Sequence, residues 1–254
     1  LKEDKNSYQK WKRRTKILLL EVIKAFLVAA VLVIILRESI LEVYRIPTMS
    51  MVPTLLPGEV IYVNKLAYGV EIPLSRFFTG QAKRFGEMDF PRRGDVISFH
   101  YERDSSRWYI KRVVGLPGDH VALREGRLFI NDKAVSRKKL NPEENAHAYE
   151  SLRKIESLEN GENALLFEES LPGMKDSYRI LMRPDSKRFL EMLEKKVPEK
   201  HFFVLGDNRN AMVDSRLFGM VPIENVTGKA RLVFLSVAEG DRLFRFNRIG
   251  EAVE

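Results

Sequence analysis

One stretch constrains this chain more than any other. Residues 17–36, ILLLEVIKAFLVAAVLVIIL, are twenty positions in which only Glu21 and Lys24 carry charge. Twenty helical residues reach about 30 Å, the thickness of a bilayer's hydrocarbon core. Glu21 and Lys24 are three apart, on one helical face and in the first half, where they can pair or snorkel toward headgroups. Ala25 to Leu36 runs without interruption. Upstream, Lys2, Lys5, Lys10, Lys12, Arg13, Arg14 and Lys16 oppose only Glu3 and Asp4, so five of the eight net positive charges fall in the first sixteen residues. A basic cluster followed by such a run reads as a signal anchor, with residues 1–16 in the cytoplasm and everything after about residue 38 beyond the membrane. Tyr8 and Trp11 suit the inner interface. A buried helix of a soluble domain is one alternative, against which the basic cluster speaks. A cleaved export signal is the other, but Arg37, Glu38 and Glu42 follow with no small-x-small site. The chain opens on Leu1 rather than methionine, as a trimmed start would.

Past the anchor the reading turns to strands. Glu59–Asn64, Asp95–Tyr101, Trp108–Val114, Gly126–Ile130, His201–Leu205 and Gly228–Leu235 are rich in Val, Ile, Phe and Tyr, with Gly, Pro and Asp between them. Arg127–Ile130 reads as one arm of a hairpin that turns at Asn131-Asp132. Glu143–Leu158 could form a helix, and 185–195 reads as a short amphipathic one with Phe189, Leu190 and Leu193 on one side. The fold class is therefore mainly β: an antiparallel-sheet catalytic core with a variable inserted subdomain, preceded by one transmembrane helix. In domain terms this gives a basic tail (1–16), an anchor (17–36), a β domain in two pieces (38–121 and 199–254) and the insertion (122–198).

Several kinds of chemistry are missing. No cysteine is present, which removes disulfides, thiolate catalysis and cysteine-ligated zinc. There is no G-x-S-x-G elbow, H-E-x-x-H pair or phosphate-cradling glycine loop, so neither metal nor cofactor is expected. Outside its tail the chain is only mildly basic and shows no nucleic-acid-binding motif, which speaks against a nucleic-acid partner. His100, His120, His147 and His201 are scattered; a Ser-His-Asp triad stays open only because triads assemble in space.

Three segments carry the positive signal. In IPTMSMVPTLLPGEV (46–60), two prolines bracket Thr48 and Ser50 and stiffen the loop, as a positioned nucleophile needs and as many ordinary loops also are. In YIKRVV (109–114), alternation sets Tyr109, Lys111 and Val113 on one strand face and Ile110, Arg112 and Val114 on the other. A strand lysine is usually an edge residue; if this face is buried, desolvation favours the neutral amine. GDNRNAMVDSRLFG (206–219) packs Asp207, Arg209, Asp214 and Arg216 into one loop, a candidate ion-paired scaffold.

Taken in order, the anchor, IPTMSMVPTL, GEVIYVNKLAYG, RRGDVISF, YIKRVVGLPGD, FFVLGDNRNAMVDSRLFG and the terminal NRIG resemble the bacterial type I signal peptidases. The resemblance implies a membrane-bound serine endopeptidase that removes signal peptides from exported preproteins. Ser50 matches the nucleophile and Lys111 the general base. Thr48 matches the hydroxyl that joins the Ser50 N–H in the oxyanion hole. Asp214 and Arg216 match an ion pair supporting the site, with Asp207 and Ser215 beside them in the scaffold. Tyr44, Ile46, Met51 and Ile110 match the apolar lining of shallow pockets that select small residues before the cut. The implied partners are such preproteins and the lipid bilayer, and the implied place is the bacterial cytoplasmic membrane, N-terminus inside. One position departs from the pattern. Where many members carry a serine that hydrogen-bonds the lysine, this chain has Met212, which offers no such bond. Ser215, water, or extra desolvation by Met212 would then prepare Lys111. The alternative is a catalytically impaired, membrane-tethered relative serving as a binding or assembly protein.

Overall fold

The computed structural model describes residues 2–39, 41–72, 75, 78, 83–85, 89–101, 104–146, 149, 152, 164–183, 191–238 and 244–253. Residues 2–10, 34–39, 41, 71, 84 and 104–107 are described by backbone alone. Helix α1 (Lys2–Ser39) carries the basic tail and the apolar run on one element. From Ile17 to Val33 its large apolar side chains are exposed on every side, and Lys24 Nζ lies 3.0 Å from Glu21 Oε1. Among the described residues no helix is long and apolar enough to cross a membrane. The described side chains stop at Val33, three residues short of the end of the apolar run at Leu36.

The main sheet has seven antiparallel strands: β1 (Leu41–Arg45), β2 (Glu59–Asn64), β3 (Val96–Tyr101), β4 (Asp104–Gly115), β5 (His201–Leu205), β6 (Val221–Pro222) and β7 (Val226–Ser236). Their spatial order is β1-β2-β7-β3-β4-β5-β6. In β2 every second residue is fully buried, the period of a strand with one face on the core. Its inward Glu59 is held by the Leu56 N–H at 2.9 Å, Ser236 Oγ at 3.1 Å and Arg248 Nε at 2.8 Å, so the buried carboxylate is fully engaged.

β4 matters most for function. Ile97 of β3 stands opposite Lys111, and Val204 and Leu205 of β5 stand opposite Val113 and Arg112. Lys111 is thus on an interior strand rather than an edge. Tyr109 and Val113 pack with Ile97, Phe99, Phe202 and Val204, while Val114 joins a separate cluster on the other face. Both faces of this strand are covered.

Two small sheets fill the region between β4 and β5. One pairs Ser136–Lys139, Leu165–Ser170 and Tyr178–Met182; the other pairs Met192–Lys196, His120–Arg124, Arg127–Ile130 and Lys133–Ala134. The hairpin at Asn131-Asp132 forms, with both residues at positive φ (51° and 60°) as a tight two-residue turn requires. The amphipathic helix read at 185–195 is overturned over its described part: Met192–Lys196 is a strand on the free edge of His120–Arg124, and Leu193 is 90% exposed. A short helical pattern gains little by itself, and an open sheet edge supplies the backbone partners that decide the matter. Phe189 and Leu190 lie outside the described residues, as does most of the helix read at Glu143–Leu158.

Candidate active site

The loop after β1 sets the first half of the site. Thr48 is extended (φ −129°, ψ 158°) and caps a single 3₁₀ turn, Met49–Met51, which closes with a bond from the Val52 N–H to the Met49 carbonyl. In an i→i+3 pattern capped at Thr48, the N–H groups of Met49 and Ser50 come before the first bond and fall outside the helical bonding pattern. Thr48 Oγ1 lies 3.3 Å from Ser50 Oγ.

β4 brings the second half. Lys111 Nζ is 2.6 Å from Ser50 Oγ and donates to the Ile110 carbonyl at 3.0 Å. The lysine is only 3% exposed. Burial is the largest influence on its amine and pushes it from 10.5 down to about 8; Asp214 and Asp207 pull it back up, and Arg216 assists the drop. Among the described residues no carboxylate forms an ion pair with Nζ. As an ammonium, Lys111 donates to Ser50 Oγ; as a neutral amine, it accepts the Ser50 hydroxyl proton.

The 206–219 loop locks this arrangement from below. The Asn208 N–H and Nδ2 donate to the carbonyls of Ser50 and Met49, each at 3.2 Å. Gly206 makes the approach possible, since a Cβ there would sit 2.4 Å from the Ser50 carbonyl oxygen. Asp214 and Arg216 form a forked ion pair (2.9 and 2.7 Å), and the same carboxylate accepts the Gly206 N–H at 3.1 Å. Asp207 points elsewhere and takes both prongs of Arg112 at 2.8 Å each, together with the Thr54 hydroxyl at 2.5 Å. Ser215 does not reach Lys111. Its oxygen accepts the Val204 N–H at 2.9 Å, and among the described residues the lysine amine bonds Ser50 and the Ile110 carbonyl instead. Met212 is half-buried.

Tyr44, Ile46 and Met51 are buried in one apolar cluster, against which Ile110 packs. The cluster adjoins the Ser50–Lys111 pair on both sides, because Met51 follows Ser50 and Ile110 precedes Lys111. Among the described residues no group of His, Asp or Glu side chains could hold a metal ion.

Three residues that anchor the site were not singled out from the sequence. Arg112 had a signal, a cation between Ile110 and Val114 on a strand face, which demands a buried carboxylate partner. Glu169 and Tyr178 carried no local mark.

The sequence model of the family described as "Signal peptidase, peptidase S26" matches residues 19–235. A signal peptidase I of Pseudomonas fluorescens is 37% identical over 248 residues, covering 92% of this chain and 79% of its own length. One from Pseudomonas aeruginosa is 36% identical over 246 residues, with the same coverage. A crystal structure of a signal peptidase I from Enterococcus faecalis aligns with 56% of this chain and 97% of its own at 28% identity, with a TM-score of 0.31.

Proposed function

The chain belongs to the signal peptidases of family S26, serine peptidases that remove signal peptides, and from that premise we propose that Ser50 is its nucleophile and Lys111 its general base. The single observation that carries the reading is a lysine amine lowered to about 8, buried at 3% exposure, 2.6 Å from a serine hydroxyl.

The reaction is acyl transfer. Neutral Lys111 takes the Ser50 proton as Oγ attacks the scissile carbonyl. The Ser50 N–H, outside the bonding pattern of its turn, and the Thr48 hydroxyl face the developing oxyanion, a type of contact worth roughly 2.7–4 kcal/mol per donor. Lys111 then returns the proton to the leaving amine, and water releases the acyl-enzyme. The Ile110 carbonyl fixes the amine where other arrangements would use a hydroxyl. Asp214–Arg216 and Asp207–Arg112 hold the loop and strand around the dyad, and Ser215 ties β5 to that loop.

The substrates are exported preproteins with small residues before the cut. Tyr44, Ile46, Met51 and Ile110 already pack closely, which suits short apolar side chains and leaves little room for long ones. Helix α1 is the anchor. Apolar side chains exposed all round a helix need a covering, and a bilayer meets that need where a single apolar stripe would call for a protein partner. The basic tail sets the N-terminus in the cytoplasm and the β domain on the far side of the bacterial cytoplasmic membrane. Tethering enzyme and membrane-inserted substrate together raises their effective concentration.

The test is incubation of a preprotein in detergent with the parent chain, Ser50→Ala and Lys111→Ala, followed by mass determination of the new ends. One cut after a small residue, absent in both variants, is the expected result. Two variants as competent as the parent would overturn the dyad.

A further inference from the structure

Beneath the dyad lies a buried ionic network that none of the reaction steps uses. Glu169 and Tyr178 stand opposite each other on neighbouring strands of the Ser136–Lys139, Leu165–Ser170, Tyr178–Met182 sheet, and both are buried. The Tyr178 hydroxyl donates to Glu169 Oε1 at 2.5 Å. Arg209 forks onto the same carboxylate, with one prong 3.0 Å from Oε2 and the other on Oε1. That second prong also reaches the Tyr178 hydroxyl at 3.1 Å, and Arg209 Nε donates to the Gly206 carbonyl at 3.3 Å. The Tyr178 ring lies 4.1 Å from the Arg112 guanidinium, which grips Asp207.

The main chain repeats the same connection. The Leu181 N–H donates to the Asp207 carbonyl and the Arg209 N–H to the Leu181 carbonyl, both at 2.9 Å, so residues 207–209 pair with the strand Tyr178–Met182. On its other side this loop bonds the Ser50 and Met49 carbonyls through Asn208, and Gly206 abuts Ser50. Hydrogen bonds and the short main-chain segment 206–209 therefore connect Glu169 through Arg209 to the backbone that carries the nucleophile. Forked arginine–carboxylate pairs fix orientation as well as distance, and a fully satisfied buried network is stiff. Stability alone does not account for such a network, because a buried ion pair is often no better than an apolar filling of the same volume.

We propose that Glu169 is a positioning residue, which through Arg209 and the 206–209 loop holds the Ser50 backbone, and with it the hydroxyl and N–H, in register with Lys111. This rests on Ser50 being the nucleophile. It makes the buried Glu169, in the segment between β4 and β5, part of the apparatus that positions the nucleophile.

The experiment compares the full chain in detergent with E169Q, E169D and Y178F, measuring kcat and KM on a preprotein and the folded fraction by thermal melting. E169Q keeps the shape but removes the charge and one acceptor oxygen. It lowers kcat per folded molecule by about tenfold to a hundredfold, as a small displacement of reacting atoms does, with KM within about twofold. E169D, which keeps the charge, recovers part of the loss. The pH midpoint of the remaining activity stays put, because Lys111 is not in this network. A purely structural role would lower the melting temperature and the folded fraction while leaving kcat per folded molecule unchanged, and that result overturns the proposal. Should E169Q not fold, Y178F removes only one hydroxyl and lowers kcat by about threefold to tenfold; an unchanged kcat there overturns it equally. Ser50→Ala separates the two claims. If that variant is inactive and E169Q is normal, positioning alone fails; if it is active, the dyad fails first.

Discussion

Lys111 and Arg112 are consecutive, both buried, and opposite in electrostatic fate. Lys111 points to the face shared with Tyr109 and Val113, meets no carboxylate within ion-pair reach among the described residues, and has its amine lowered to about 8 by burial. Arg112 points to the other face, is gripped at both prongs by Asp207 at 2.8 Å, and is raised above the ordinary arginine value despite full burial. One residue along a strand separates a cation that gives up its proton from one that cannot. Burial disfavours the charge on both faces; what differs is whether a carboxylate is placed to offset it. On the proposed mechanism the strand thereby provides a base and a rigid strut from adjacent positions.

The strongest way to break this contrast is to give the Lys111 face a cation that stays charged. Lys111→Arg, whose guanidinium does not deprotonate in proteins, removes the base and lowers kcat by about 10⁴-fold, read in the preprotein assay. Arginine supporting cleavage at parental rates would show that a neutral amine is not needed. Next in size is the opposite face. Arg112→Met leaves Asp207 buried without its partner and costs roughly 3–5 kcal/mol of stability, measured by chemical denaturation of the detergent-solubilised chain. A loss below about 1 kcal/mol would mean the pair is a passenger.

Thr48→Val comes third and probes the Lys111 side without touching its charge. Loss of one oxyanion donor lowers kcat by about 10²–10³-fold with little change in KM. A change confined to KM would instead assign Thr48 to substrate binding. The smallest effect is the most direct test of the contrast. With the Lys111 amine at about 8, kcat/KM rises with pH and levels off above that value, so activity at pH 7 is about a tenth of the plateau. Stability follows with a definite sign. Between about 8 and 10.5 the unfolded chain still holds the proton and the folded one does not, so this residue makes the fold more stable as pH rises through that window. Lys111→Met flattens that rise, and a parental slope in the variant would assign the titration to another group.

Much of this molecule can be read along the chain. The strands at Glu59–Asn64 and His201–Leu205 keep the bounds their β-rich composition suggests, and the Asn131-Asp132 turn forms where its residue types allow positive φ. Ser50 and Lys111, singled out from a proline-bracketed loop and an apolar strand, lie within a hydrogen bond of each other. These features depend on spacing and on the conformations of a few neighbouring residues, which sequence records directly. Partnership is another matter. That Asp207 serves Arg112 rather than its own loop, that Ser215 bonds the backbone of β5 rather than the lysine, that Met192–Lys196 joins a sheet edge, and that Glu169 reaches Arg209 across forty positions are decided only in three dimensions. A buried charge announces that it needs a partner, but many carboxylates along the chain could answer. Which one does depends on where the packed strands leave it, and Lys111, which finds none among the described residues, is the residue proposed to act as a base.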